Sequence, residues 1–198
     1  MNHPSMFVVS PGGDAAEDSS RPTNERYSTV AIAIHWLAAV LIVMALIIGV
    51  SMVDLPMSPS RLKLYNYHKW IGVTILALSA VRLGWRLTHR PPPNVDTVKW
   101  RRTAAHLTHG ALYVLFFAIP LVGWAQSSAA GFPVVVFGVL PLPDFVPVDK
   151  ALVALLKPWH RGLALALGGL VAVHVLAAVM HRFVDGHPVL QRMGLRFR

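Results

Sequence analysis

The chain has no cysteine in its 198 residues. That absence excludes structural disulfides, thiolate metal sites, iron–sulfur clusters and a covalently attached c-type heme, which needs a C-x-x-C-H run. Charge is scarce too, at 14% of residues against 55% hydrophobic, and Asp and Glu together number only 9. Residues 1–26 contain SPGGDAAEDSS but no apolar core of the kind that directs secretion. They read as a disordered cytoplasmic tail without a signal peptide. With so much of the chain apolar, little is left for a soluble domain.

What the chain does have is long apolar runs. Crossing a hydrocarbon core takes about 20 apolar residues in a helix, and four stretches qualify, at about 30–53, 68–87, 106–125 and 160–183. Pro158 lies upstream of the fourth, so that helix is expected to begin near Asp149 and bend at KPWH. The expected fold is all-α, an integral membrane four-helix bundle occupying residues 27–193, with residues 194–198 as a short tail.

Lys and Arg sort by loop. Arg21 and Arg26 precede the first span, Arg86, Arg90, Lys99, Arg101 and Arg102 lie between the second and third, and Arg182, Arg192, Arg196 and Arg198 follow the fourth. Because short cytoplasmic loops retain positive charge, both termini are predicted cytoplasmic, an N-in/C-in topology. The net charge of +9 then answers to anionic membrane lipid and suggests no nucleic-acid partner. The loop Gln126–Val148 is apolar but broken by prolines, and could cover the outer face as a lid.

Histidines are placed unusually within this apolar frame. His160 and His174 are fourteen residues apart on one span, which returns them to nearly one helical face, separated by roughly 21 Å. His35 lies just inside the cytoplasmic start of span one, level with His174, and His68 begins span two, level with His160. Two pairs matched in depth suit two b-type hemes, each needing neutral imidazoles on both faces of the macrocycle. Gly72, Gly162, Gly168 and Gly169 offer clearance for the rings, and Arg82, Arg86 and Arg161 are candidates to neutralise propionates. A single membrane histidine can equally be an interhelical hydrogen-bond partner or part of a proton or ion pathway. His109 and His181 could flank a quinone headgroup on the inner side, while His106 suits an interfacial role and His3, His89 and His187 carry little signal.

RYSTVAIAIHWL, NYHKWIG, HLTHGALYVLFFAIPLVGW and KPWHRGLALALGGLVAVHVLAAVMHRF, taken in order, resemble the bacterial cytochrome b561 family from about Arg26 to Met193. Within it the likeness is to stand-alone diheme members with superoxide oxidase activity, which pass electrons from superoxide to ubiquinone. The resemblance implies two heme b groups, one on His35 and His174 and the other on His68 and His160. It also implies a ubiquinone site involving His109 and His181, and residence in the bacterial inner membrane. His181 is followed by Arg182 where some relatives carry a second histidine. Lys63, Lys69, Lys157 and Arg161 would attract superoxide to the outer side, or simply anchor the interface. The competing expectation is a quinone-linked electron-transfer subunit serving a dehydrogenase, or a periplasmic protein redox partner.

Overall fold

The computed structural model describes residues 26–89 and 98–195. Residues 1–25 of the expected N-terminal tail, Arg90, Arg196 and Arg198 lie outside them. Four long helices dominate: α1 (Thr29–Ser51), α2 (Pro59–Thr88), α3 (Lys99–Ala129) and α4 (Lys150–Phe183). Each is long and apolar enough to cross a membrane. A short hairpin of β1 (Val135–Val136) and β2 (Leu140–Pro141) joins α3 to α4, and a single turn, α5 (Val189–Arg192), follows α4.

Local chemistry sets the helix ends. The Ser28 hydroxyl accepts from the Ala31 amide, Ser58 accepts from Arg61 with Pro59 beginning α2, and the Asp149 carboxylate accepts from Ala151 and Leu152. α4 runs through Pro158 and α3 through Pro120 without ending. Proline removes one backbone hydrogen bond, but the apolar residues on both sides have no better alternative in lipid than to remain helical.

α1 packs on α2, α2 on α3 and α3 on α4, whereas α1 and α4 make little direct backbone contact and face each other across His35 and His174. The buried core is small: Ile42, Ile75, Leu112, Phe116 and Leu167, flanked by Leu46, Ile71, Ile119 and Leu170 among others. Large apolar side chains such as Val40, Ile47, Val114 and Leu176 point outward. In water that arrangement would be costly, and in hydrocarbon it is neutral.

The core residues reveal a register shared by all four helices. Ile42, Ile75, Phe116 and Leu167 form a middle tier, one from each helix. Seven residues before or after them stand His35, Arg82, His109 and His174 at the end of the bundle where α1 begins and α4 ends, called the terminal end below. Seven residues the other way stand Gly49, His68, Gly123 and His160 at the end that carries the hairpin. Seven residues are two turns, a rise of roughly 10 Å, so the bundle is built in three levels on a common spacing.

The two ends are closed differently. At the terminal end the Trp36 indole donates to the Met193 carbonyl at 3.0 Å, the Trp85 indole donates to Ser28 at 3.1 Å, and the Tyr27 amide donates to the Arg192 carbonyl. These bonds tie the start of α1 to the ends of α2 and α5. At the other end the Gln126–Val148 segment is more ordered than a proline-broken lid suggests. α3 continues into it as far as Ala129, and the hairpin turns through Phe137 and Gly138, both at positive φ. The Trp70 indole donates to the Val135 carbonyl at 2.6 Å, and its ring centroid lies 5.6 Å from that of Phe137. Val134 is buried beneath.

Candidate functional site

Each histidine pair faces across the bundle between two helices that do not pack directly on each other, at one level. The His35 and His174 ring centroids are 6.5 Å apart, bridging α1 and α4 at the terminal level. Those of His68 and His160 are 6.0 Å apart, bridging α2 and α4 at the hairpin level. Two imidazoles bound to one metal at about 2 Å place their centroids roughly 6 Å apart, so both pairs stand at a separation suited to axial ligation.

The rings are also held for that task. His160 Nδ1 lies 3.1 Å from the Ile119 carbonyl, a bond that fixes the tautomer and leaves Nε2 for a ligand. Nδ1 of His35 is buried without a hydrogen-bond partner among the described residues. Glycines seat two of the rings. A Cβ on Gly123 would lie 2.8 Å from His160 Cε1, and one on Gly49 would lie 3.1 Å from His68 Cε1. The residues present therefore fit heme.

Gly49 and Gly123 escape a reading of single spans, although a signal exists. Gly49 follows His35, and Gly123 follows His109, by the same fourteen residues that separate His160 from His174. The four glycines expected to provide clearance have open surroundings. Gly72, Gly162 and Gly169 have no neighbour within 4 Å of an added Cβ, and Gly168 meets only Leu46 Cδ1 at 3.9 Å. No side chain presses on them.

The remaining candidates divide between the two levels. The His109 ring centroid lies 5.4 Å from that of His174, so the terminal level carries three imidazoles where the hairpin level has two and two glycines. Arg82 joins this level: its guanidinium lies over the Tyr113 ring at 5.8 Å, and its charge reaches His35, His109 and His174. His181 is held by Asp185, whose carboxylate accepts from His181 Nδ1 at 2.8 Å and from Arg101 at 3.0 Å. These donors, His181 first, hold the Asp185 carboxyl below the usual carboxylate range.

Among the basic residues of the hairpin end, Lys63, Lys157 and Arg161 are exposed. Lys69 is half-buried and donates to the Pro133 carbonyl at 3.1 Å. With Tyr65, Asn66, Ser127 and Phe132 it lines a cavity of about 310 Å³ next in sequence to His68.

Comparison with known proteins completes the picture. The family model described as prokaryotic cytochrome b561 matches residues 26–195, which include all four helices. The chain is 33% identical over 173 residues to "Cytochrome b561 homolog 2" of Escherichia coli, covering 86% of this chain and 92% of that protein. It is 29% identical over 178 residues to "Probable superoxide oxidase CybB" of Yersinia pestis, covering 86% and 96% respectively. "Cytochrome b561 homolog 1" of Escherichia coli is 28% identical over 176 residues. Four membrane-crossing helices, imidazole pairs at axial separation and this match along most of the chain converge: the protein is a multi-pass bacterial membrane heme b protein of electron transfer and belongs to the prokaryotic cytochrome b561 family.

Proposed function

We propose that the protein is a diheme b-type cytochrome of the bacterial inner membrane that takes electrons from superoxide on the outer side and delivers them to ubiquinone on the inner side. The observation that carries this reading is the presence of one imidazole pair at each end of the bundle, both using α4. His35 and His174 hold the inner heme, and His68 and His160 the outer one. The hemes, when bound, supply one-electron transfer between the two faces of the membrane.

The basic terminal end, with Arg86, Arg101, Arg102 and Arg182 on or beside its helix ends, supports an N-in/C-in orientation. The outer end has Lys69, next in sequence to His68, lining a cavity, and Lys63, Lys157 and Arg161 exposed at the same end. A small anion needs only a positive field and access, and this end has both. Lys69 also holds the segment just before the hairpin through the Pro133 carbonyl. The curated name of the Yersinia pestis relative supports superoxide as the donor.

On the inner side, His109 and His181 serve the quinone. His181, bonded through Nδ1 to Asp185, presents its other nitrogen to a carbonyl oxygen of the headgroup, and Asp185 holds the ring and takes part in its proton exchange. Two protons are needed for each quinone reduced to quinol, against two superoxide anions oxidised to dioxygen. Arg82 serves a propionate at the inner level and Arg161 one at the outer level.

Stopped-flow mixing of the oxidised protein with superoxide, with ubiquinone present, tests the reading. Rapid heme reduction followed by quinol formation is expected. Reduction no faster than that of a control cytochrome would remove superoxide as donor and leave the role of an electron-transfer subunit.

A further inference from the structure

Below the inner level, α4 ends in a sequence that the proposed quinone site uses only in part, since His187 has no role there. His181, Asp185 and His187 each offer a ligand atom, and these atoms lie within 4.8 Å of one another. Two features of the chain bring them together. His181 and Asp185 are one helical turn apart, and Gly186 at φ +69 reverses the backbone, so that the His187 amide donates to the His181 carbonyl at 2.9 Å. The two imidazoles end up nearly parallel, 19° between planes, with centroids 6.0 Å apart.

We propose that His181, Asp185 and His187 form a binding site for a divalent transition ion of the zinc class on the terminal face of the protein. Two imidazoles and one carboxylate are a borderline nitrogen and oxygen donor set, which selects such ions over magnesium or calcium. Three protein ligands leave a fourth tetrahedral position for water. His187 Nδ1 is buried and has no hydrogen-bond partner, so it is a donor already desolvated without reward. Ligand atoms on one zinc stand roughly 3.3 Å apart, so the triad must draw in by roughly 1.5 Å at its widest. The turn around Gly186 and the side-chain torsions supply that movement.

Occupancy changes two existing contacts. The proton on His181 Nδ1 moves to Nε2, giving the metal a free lone pair while the ring stays neutral. Arg101, now 3.0 Å from the same carboxylate oxygen, is a competing cation and must turn outward to solvent, to which it is already partly open. Any bearing on quinol formation rests on the function proposed above, because His181 belongs to both sites. Metal binding itself does not.

The test uses tag-free holoprotein dialysed against zinc, with metal counted by elemental analysis and normalised to heme absorbance. Wild type should hold one zinc more than Asp185→Asn or His187→Gln, each binding about 10-fold more weakly or worse, with unaltered heme spectra. Arg101→Gln should bind several-fold more tightly, since it removes the competitor, whereas a cluster that merely ties α3 to α4 predicts no gain. X-ray absorption at the zinc edge of the wild type, which needs no substitution, should show two imidazoles at about 2.0 Å. Equal zinc in wild type and variants, or a zinc surrounded by oxygen alone, would overturn the proposal.

Discussion

Replacing Gly123 with alanine tests the reasoning about the site with a single methyl group. The new Cβ would stand 2.8 Å from His160 Cε1 and 3.1 Å from its Nδ1, where ordinary contact begins at 3.4 Å. The ring must retreat by about 0.6 Å at least. It cannot do so freely, because Nδ1 is bonded to the Ile119 carbonyl on the same helix as Gly123. Overpacking of this kind costs about 1–3 kcal/mol, and the strained or lost hydrogen bond about 0.5–1.5 kcal/mol more. Alanine's better helix propensity returns about 1 kcal/mol, so a net loss of about 1–3 kcal/mol is expected. Gly84→Ala is the control, since no atom lies within 4 Å of its added Cβ; it should gain up to about 1 kcal/mol. For a chain of this size the two variants should differ in thermal midpoint by roughly 4–16 °C. Reduced-minus-oxidised spectra should show the α band of one heme weakened or moved in Gly123→Ala alone. If Gly123→Ala matched Gly84→Ala in both stability and spectrum, the idea that Gly123 exists to seat His160 would be wrong.

Other substitutions separate the remaining claims. His174→Ala and His68→Ala should each halve the heme content measured as the pyridine hemochrome; two hemes left in either would refute the pairing. Lys69→Gln should slow reduction by superoxide about 2- to 10-fold at low ionic strength and flatten its salt dependence, and an unchanged rate would show that Lys69 serves the hairpin alone. Trp70→Phe deprives the Val135 carbonyl of its donor, at about 1 kcal/mol. Hydrogen exchange at the Leu142 amide, bonded to Val134 across the hairpin, should accelerate about 5-fold, and no change there would mean that the hairpin does not lean on Trp70.

Much of the architecture could be read from residues in a row. The uncharged run through α1 announces a membrane helix by itself, and the spacing of His160 and His174 announces two levels, because helical periodicity is a local property. The start of α2 at Pro59 could not be found in the same way. The turns before His68 carry Arg61, Lys63 and Asn66, and they are helical because Ser58 and Pro59 nucleate them, not because they are apolar. The hairpin was hidden for a different reason. Phe137 takes a conformation usually reserved for glycine, and contact with Trp70, nearly seventy residues earlier, helps hold it there. His187 gave no signal because its neighbours come from a chain reversal at Gly186 rather than from a helix face.

The shared seven-residue spacing acts as a ruler, and rulers fail by length rather than by composition. Substituting a middle-tier residue, such as Ile75 for valine, shaves one level and leaves the others in place. Deleting one residue between His160 and His174 would turn everything beyond it by about 100° and shift it by about 1.5 Å, carrying one imidazole off its partner while the other stayed put. Relatives that keep this chemistry should therefore vary freely in the identity of their lipid-facing residues but hold the number of residues between tiers constant in all four helices. Insertions should collect in the connections, above all between α2 and α3 and around the hairpin.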